Sequence, residues 1–262
     1  MRLLEDKIIF LTGGSMGIGL ECGKKYVQEG ARVAIVSNNA TSIAEAIGVL
    51  GQANSGILCD VSNPGDVASA IRQTLDKYGR IDAIHNNAGI AHPSKPLHET
   101  EEAEWDALFN INLKSIFYTT KYGLDALIHS EGCILHTSSL VGDIGQDNHA
   151  AYTATKGAIN ALTKSMALDY ARYKIRVNAV APAGVWTEML REWGQAQENP
   201  SDIAKYLDGI HALGYCPEGD VVADACVFLL SDKARFITGS ILPVSGGAEL
   251  GYRIQSICKS SD

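Results

Sequence analysis

Short hydrophobic segments alternate with longer segments of helical periodicity along most of this chain. The hydrophobic segments are nearly continuous in Val, Ile and Leu, and they span residues 7–12, 31–36, 55–60, 80–85, 132–137, 174–180 and 240–244. Strands of a parallel sheet have this pattern, because helices cover both faces of the sheet. The helical segments span about 17–29, 40–50, 64–78, 101–130, 151–173 and 217–231. The alternation predicts an α/β fold with a doubly wound, seven-stranded parallel sheet.

Neither a linker nor an internal repeat interrupts this alternation, so residues 1–250 are predicted to form one domain. Residues 186–213 are the least regular part of it. A long insertion after a strand of a parallel sheet is a place where a lid over a ligand is expected. Residues 251–262 extend past the last predicted strand and are expected to form a C-terminal tail.

The composition narrows the choice of partners. The chain has 262 residues, 46% of them hydrophobic, and a formal net charge of −8. Binding to nucleic acid or to an anionic membrane surface requires a basic face, so neither is expected as a partner. No hydrophobic run reaches the roughly 18 residues that cross a bilayer, and the N-terminus lacks the form of a signal peptide.

The cysteines are scattered along the chain and form no C-x-x-C pair. They are Cys22, Cys59, Cys133, Cys216, Cys226 and Cys258. Metal sites that can be recognised in a sequence usually contain closely spaced ligand pairs, so we predict no metal site. We expect these cysteines to be small hydrophobic side chains in a reducing cytoplasm.

A glycine-rich turn, TGGSMGIG at residues 12–19, follows the first predicted strand. Glycine suits a sharp turn that lets the backbone approach a pyrophosphate, and the helix N-terminus that follows offers free N–H groups. The spacing is Gly-x-x-x-Gly-x-Gly rather than Gly-x-Gly-x-x-Gly, but the position between a strand and a helix favours a dinucleotide site. The residues expected to contact the dinucleotide here are Gly13, Ser15, Met16, Gly17, Ile18 and Gly19.

The end of the second predicted strand bears on which dinucleotide is bound. An acidic residue there selects NAD, whereas a basic residue favours NADP. This chain has Ser37 and Asn38 at that point and Met16 in the glycine-rich turn, so we see no cation for a 2′-phosphate and favour NAD over NADP. Ser37 or Asn38 would bond a ribose hydroxyl, or would only cap the next helix. After the third strand, Asp60 and Val61 are candidates for contacting the adenine, although Asp60 can equally cap the following turn.

Tyr152 and Lys156 lie four residues apart in a segment with a strong helical pattern, so they share one helical face. A tyrosine that acts as a base near neutral pH needs a nearby cation, because its pKa is ordinarily about 10. Lys156 can supply that charge. Ser139 follows the fifth predicted strand and would lie at the same edge of the sheet, where its hydroxyl can hold a substrate oxygen.

The combination of TGGSMGIG, NNAG at residues 86–89, Asn112, Ser139 and YTATK at residues 152–156 resembles the short-chain dehydrogenase/reductase family. The resemblance covers roughly residues 5–247. The serine stands 13 positions before the tyrosine and the asparagine 40 positions before it, as is typical of that family. The resemblance implies a Rossmann-like fold, a nicotinamide cofactor and oxidoreductase activity on CH–OH groups.

The resemblance also implies a role for each of four catalytic residues. Tyr152 is the general acid/base that exchanges a proton with the substrate oxygen, and Ser139 stabilises the charge that develops on that oxygen. Lys156 lowers the pKa of the tyrosine and binds the nicotinamide ribose. Asn112 helps to hold a water that relays protons to solvent. The cofactor supplies the redox chemistry, so no metal is needed.

Two further segments are expected to contact the cofactor. The NNAG motif would let the backbone pass close to it while bracing neighbouring strands, through Asn87, Ala88 and Gly89. The segment NAVAPAGVWTEM at 178–189 resembles the family's Asn-x-x-x-Pro-Gly segment, although the glycine comes one place later. Its candidate cofactor contacts are Pro182, Val185 and Thr187.

The candidate substrate residues are His92, Gln146, His149, Trp186 and Arg253. The segment around Gln146 and His149 is polar, which favours a sugar, a polyol or a sugar acid over a steroid or lipid. His149 can equally be a surface histidine. Arg253 lies in the tail, where it would either be exposed or bind a substrate carboxylate through its fork of N–H groups.

The sequence thus predicts an NAD-dependent dehydrogenase of small hydroxylated molecules that is cytoplasmic and, by resemblance, homotetrameric. The alternative is an NADPH-dependent carbonyl or 3-oxoacyl thioester reductase. A more remote alternative is a regulator that binds the nucleotide without turnover. Such regulators often lose the tyrosine or the lysine, whereas this chain keeps all four catalytic positions.

Overall fold

A computed structural model of the chain describes residues 2–195, 197 and 199–251, and it contains one seven-stranded sheet. Every neighbouring pair of strands is parallel, in the order β3-β2-β1-β4-β5-β6-β7. The strands are β1 (Ile8–Thr12), β2 (Arg32–Ser37), β3 (Ser55–Leu58), β4 (Ala83–Asn86), β5 (Cys133–Thr137), β6 (Arg176–Pro182) and β7 (Ile241–Val244). The predicted Rossmann-like sheet is confirmed.

Helices cover both faces of this sheet. They are α1 (Gly17–Gln28), α2 (Ala40–Leu50), α3 (Pro64–Tyr78), α4 (Glu102–Phe109), α5 (Ser115–Ser130), α6 (Ala150–Tyr170), α7 (Glu188–Gln195), α8 (Pro200–Ile210) and α9 (Asp220–Leu230). Helices α1, α2 and α9 share one hydrophobic core with the sheet, whereas α3, α5 and α6 share the other. The strands are nearly continuous in Val, Ile and Leu because both of their faces are buried in this way.

The segment 101–130, predicted as one helix, is instead interrupted by a π-helical turn at Asn110–Lys114. The turn separates α4 from α5 and contains the buried Asn112. Hydrophobic periodicity did not reveal it, because one widened turn shifts the pattern by only a single residue. Such turns are frequent at functional sites.

The segment predicted to be an irregular insertion contains helices α7 and α8. Helix α7 follows β6 directly, near the carboxyl edge of the sheet, and α8 ends shortly before α9. Leu207 of α8 is buried. The insertion is therefore partly packed against the domain.

The order of the strands determines where in the fold the candidate site lies. The chain runs outward from β1 to β2 and β3, and then returns to the other side of β1 as β4. The chain therefore leaves β1 and β4 towards helices on opposite faces of the sheet, which places a crevice at the carboxyl edge, where doubly wound proteins bind ligands. In the described part of the chain, no helix has the length and hydrophobicity needed to cross a membrane.

Candidate active site

The glycine-rich turn has no room for side chains at the points where it bends. Gly13 has a φ of +62°, and a Cβ atom there would lie 2.9 Å from the Cα of Ala88. A Cβ on Gly19 would lie 2.0 Å from the carbonyl oxygen of Gly13. Gly17, with a φ of +53°, begins α1, and the residue before it, Met16, makes no side-chain cap to the first N–H groups of the helix. These features fit the pyrophosphate of a dinucleotide.

Asn87 joins the ends of β1, β4 and β5. Its Nδ2 donates to the carbonyl oxygens of Thr12 and Gly13, each at 3.2 Å, and its Oδ1 accepts from Thr137 Oγ1 at 3.1 Å. The hydroxyl of Thr12 accepts from the backbone N–H groups of Asn87 and Ala88, at 2.9 and 3.0 Å. The sequence suggested the bracing role of the NNAG motif, but it did not single out Thr12 or Thr137 as the partners.

The two candidate adenosine positions differ in their surroundings. Asn38 is exposed, and Ser37 Oγ accepts from the N–H of Asn39 at 3.3 Å. It is Asn39, not Ser37 or Asn38, that caps α2. Asp60 accepts from the N–H and the hydroxyl of Ser62, at 2.9 and 2.7 Å, so its carboxylate stabilises the turn after β3.

The remaining side chains of the cradle have distinct environments. Ser15 is buried, and its hydroxyl accepts from Ser42 Oγ at 2.9 Å. Met16 is 52% exposed. Ile18 packs against the core between the sheet and α1, and Val61 is buried in the opposite core. Gly89 lies near the buried amine of Lys156, since a Cβ there would be 3.8 Å from Nζ.

Ser139, Tyr152 and Lys156 come together at the carboxyl edge of β5. Ser139 follows β5 and caps a short 3-10 helix at Leu140–Gly142, while Tyr152 and Lys156 lie in the first two turns of α6. Lys156 Nζ donates to the carbonyl of Thr137 at 2.8 Å and lies 5.5 Å from the centroid of the Tyr152 ring. Ser139 Oγ donates to the carbonyl of Pro182 at 3.5 Å, and its interaction with the phenol of Tyr152 acts to lower the pKa of that phenol.

Burial is the largest cause of the pKa shifts of Tyr152 and Lys156. It raises the pKa of Tyr152 to about 12, although the hydrogen bond from Ser139 acts in the opposite direction. Burial also lowers the pKa of Lys156 to about 8. The lowering of the tyrosine pKa by Lys156 that the resemblance implies is therefore not seen here. The amine is bonded to the Thr137 carbonyl rather than to the phenol.

Both the oxygen and the nitrogen of the Asn112 side-chain amide are hydrogen-bonded to the protein. Its Oδ1 accepts from the N–H of Ile90 at 2.8 Å, and its Nδ2 donates to the carbonyl of Ile90 and to Thr155 Oγ1, at 2.9 and 3.1 Å. The side chain thus ties the loop after β4 to α6. Ser138, the neighbour of Ser139, is bonded to Asn160 Oδ1 at 2.5 Å and has a structural position.

The segment after β6 lies against the glycine-rich turn. Pro182 ends β6, and Val185 is buried. Thr187 Oγ1 accepts from the N–H of Leu190 at 3.2 Å at the start of α7, and its methyl group would lie 3.4 Å from a Cβ on Gly17. Trp186 is held by a backbone bond to Pro217 at 2.8 Å and faces the guanidinium of Arg191.

Among the candidate substrate residues, His149 is the one with a ring contact to the tyrosine. Its ring centroid lies 6.4 Å from that of Tyr152, edge to face. Its Nε2 lies 2.8 Å from Ser94 Oγ, and its Nδ1 lies 2.8 Å from the carbonyl of Asp147. Gln146 and His92 are exposed. Arg253 lies outside the described residues.

A nucleotide cradle and a Ser–Tyr–Lys arrangement at one crevice define a nicotinamide-dependent oxidoreductase. A family model described as enoyl-(acyl carrier protein) reductase matches residues 13–249. The chain belongs to the short-chain dehydrogenase/reductase family, whose dehydrogenases act on CH–OH donors with nicotinamide cofactors.

Known members of this family align over most of the chain. L-fucose dehydrogenase of Bos taurus is 37% identical over 94% of this chain and 90% of its own length. The 2,5-dichloro-2,5-cyclohexadiene-1,4-diol dehydrogenase of Sphingobium indicum is 35% identical, with 94% and 98% covered. The structure of a 3-ketoacyl-(acyl-carrier-protein) reductase from Brucella melitensis complexed with NADH aligns with a TM-score of 0.85 and 29% identity, covering 94% and 99%.

The geometry of the turn predicts that Gly19→Ala weakens dinucleotide binding. The new methyl group would overlap the Gly13 carbonyl, which is backbone and cannot move aside without opening the cradle. We expect the affinity for the reduced dinucleotide, measured by fluorescence titration, to fall at least tenfold, or by about 1.4 kcal/mol. The control is Gly48→Ala in α2, where a Cβ meets no atom within 4 Å. Equal affinities in the two variants would contradict the assignment of the cradle.

Proposed function

We propose that this enzyme is an NAD-dependent dehydrogenase that oxidises a secondary alcohol of a small hydroxylated molecule, namely a sugar, a polyol or a sugar acid. The observation that carries the proposal is the convergence of Ser139, Tyr152 and Lys156 beside the nucleotide cradle. The polar segment around Gln146 supports a hydroxylated substrate. The relatives named as dehydrogenases of L-fucose and of a cyclohexadiene diol support the same substrate class.

The residues present fit a bound nicotinamide dinucleotide. The glycine-rich turn would hold the pyrophosphate, Asn38 and Asp60 would approach the adenosine, and Val185 and Thr187 would border the nicotinamide. Lys156 would bind the nicotinamide ribose. The cofactor would supply the hydride acceptor, and every proton would be handled by the protein.

Proton transfer falls to Tyr152. Its hydroxyl and that of Ser139 would both bond the substrate oxygen, and Ser139 would donate to that oxygen as charge develops on it. During oxidation the phenolate accepts the proton of the substrate hydroxyl. During reduction the phenol returns it. We assign Asn112 a positioning role, because its side chain fixes the loop after β4, and its part in a proton-relaying water remains tied to the family resemblance.

The preference for NAD over NADP is also a proposal. A 2′-phosphate would be placed near Ser37 and Asn38, at the end of β2, and Met16 borders the same side of the cradle. None of these side chains can neutralise a phosphate. Binding NADP would therefore leave its added charge without a partner from these three positions.

His149 is assigned to the substrate side of the site. Its ring lies beside Tyr152, and Ser94 and Asp147 hold both of its nitrogens. His92, Gln146 and Trp186 would complete the polar edge. Arg253 of the tail would bind the carboxylate if the substrate is a sugar acid, and unchanged kinetic constants on such a substrate in Arg253→Ala would remove this assignment.

We further propose that residues 1–250 form a single catalytic domain, with residues 186–213 acting as a lid and residues 251–262 as a tail. The single sheet and its two cores support this division. A cytoplasmic location is supported by the free thiols of the described cysteines.

The proposed mechanism predicts that Tyr152→Phe lowers kcat by about 10²- to 10⁴-fold while dinucleotide affinity is retained, because only the proton acceptor is removed. Oxidation by the wild type should accelerate as pH rises above neutral, since a pKa of about 12 keeps the phenol protonated there. Reduction, which uses the protonated phenol, should keep its rate over this range and slow only as the pH approaches that pKa. Tyr170→Phe, at the other end of α6, is the control. Undiminished turnover in Tyr152→Phe would disprove the mechanism.

The substrate and cofactor are tested together by a screen of sugars, polyols and sugar acids with NAD and NADP. We expect turnover of at least one of these classes, with NAD preferred. A tenfold preference for NADP, about 1.4 kcal/mol, would overturn the cofactor assignment. A 3-oxoacyl thioester with NADPH belongs in the same screen. Its selective reduction would favour the alternative function, which the Brucella melitensis reductase represents among similar structures.

A homotetramer is proposed on the basis of an apolar groove between α4–α5 and α6. The groove has a volume of about 700 Å³ and is lined by Phe109, Phe117 and Leu162 among others, and Phe117 is 56% exposed. A second copy of the chain would cover these side chains. We expect Phe117→Asp to reduce the mass measured by light scattering, whereas Val49→Asp, on an exposed site of α2, should not. A wild-type monomer would contradict the proposal.

A further inference from the structure

Four polar side chains meet in the core between the sheet and helices α1 and α9. Cys22 and Tyr26 project from α1, Cys226 from α9 and His85 from β4. The sulfur atoms of the two cysteines and a nitrogen of His85 all lie within 4.8 Å of one another. The hydroxyl of Tyr26 lies 2.9 Å from His85 Nδ1. All four residues are completely buried.

This group stands apart from the core around it. Its neighbours are aliphatic side chains such as Leu11, Val222 and Val227. A buried imidazole or phenol is costly unless its polar atoms are bonded, whereas an aliphatic side chain of similar size has no such requirement. The polar atoms here are directed at one another instead of being spread through the core.

The orientation of His85 suits a metal ligand. Its Nε2 lies 2.9 Å from Thr137 Oγ1, which leaves Nδ1 on the side of the ring that faces Tyr26. Metal-binding histidines commonly have the second ring nitrogen bonded to a protein group, which fixes the tautomer and the plane of the ring. Here the hydroxyl of Thr137 would bond the second ring nitrogen of His85.

We propose that Cys22, Cys226 and His85 bind a structural Zn²⁺ ion, with the hydroxyl of Tyr26 as the fourth ligand. Sulfur and imidazole nitrogen are preferred zinc ligands, and four-coordinate tetrahedral geometry is usual for structural sites. The ligand atoms would close around the ion to about 2.3 Å for sulfur and about 2.0 Å for nitrogen.

The charges balance when zinc binds. Each thiol loses its proton to solvent, so two protons leave and two Zn–S bonds form, with no change in oxidation state. The dication and the two thiolates are then neutral together, as a site without water contact requires. A monovalent ion would leave one negative charge buried.

The ion would have a structural role and would leave hydride transfer to the dinucleotide. It would join α1, whose N-terminus forms the cradle, to α9 and β4. It would also affect Thr137. The hydroxyl of that residue is hydrogen-bonded to His85 Nε2, and its carbonyl accepts from Lys156 Nζ. The sequence predicted no metal here, since the three ligands lie at residues 22, 85 and 226 with no paired spacing.

The test uses the untagged full-length chain, refolded with and without Zn²⁺. We expect about one zinc ion per chain by elemental analysis after dialysis, and a melting temperature at least about 5 °C higher with zinc. Replacement of zinc by Co²⁺ should produce the strong near-ultraviolet absorption of thiolate-to-cobalt charge transfer. These measurements do not depend on enzymatic activity.

Variants distinguish the site from the other cysteines. Cys22→Ser and Cys226→Ser should lose both the zinc and the cobalt absorption, whereas Cys133→Ser, another buried cysteine, should keep them. If the serine variants fail to fold, the wild-type measurements decide alone. A folded wild type that retains no zinc and shows no thiolate absorption with cobalt overturns the proposal. A Cys22–Cys226 disulfide in the folded, zinc-treated wild type overturns it as well.

Discussion

The close approach of the β1 and β4 loops is the constraint on which the rest of the site depends. Gly13 must pass within contact distance of Ala88, and Asn87 closes the approach by bonding to Thr12, Gly13 and Thr137. One amide therefore fixes the cradle for the pyrophosphate and the end of β5 together. Because Ser139 follows β5, the side-chain bond between Asn87 and Thr137 also fixes where Ser139 lies relative to the glycine-rich turn.

Burial gives this site its electrostatic character. The phenol of Tyr152 and the amine of Lys156 both have pKa values shifted towards their neutral forms. Desolvation disfavours the phenolate and the ammonium alike, so the phenol becomes a weaker acid and the amine a weaker base than they are in water. The hydrogen bond from Ser139 is the influence within the protein that already favours the phenolate.

The sequence predicted the features that rest on local pattern. The seven strands could be recognised as continuous hydrophobic segments, because both faces of the sheet are buried. The turn at residues 12–19 could be recognised from its glycines, because its conformation excludes side chains. The spacing of Tyr152 and Lys156 followed from one helical turn. The π-helical turn at Asn112 could not be predicted in this way, because its pattern differs too little from that of an uninterrupted helix. The meeting of Cys22, His85 and Cys226 depends on the packing of three distant elements, and no local spacing encodes it.

The contact between Thr187 and the glycine-rich turn has a consequence for the order of events in a catalytic cycle. Thr187 caps α7, the first helix of the segment that borders the substrate side, and its methyl group faces Gly17 at the start of α1. The glycine-rich turn and the start of α7 thus share one surface. Under the proposed function, a dinucleotide bound at this turn would also contact the start of α7, which favours binding of the cofactor before the substrate.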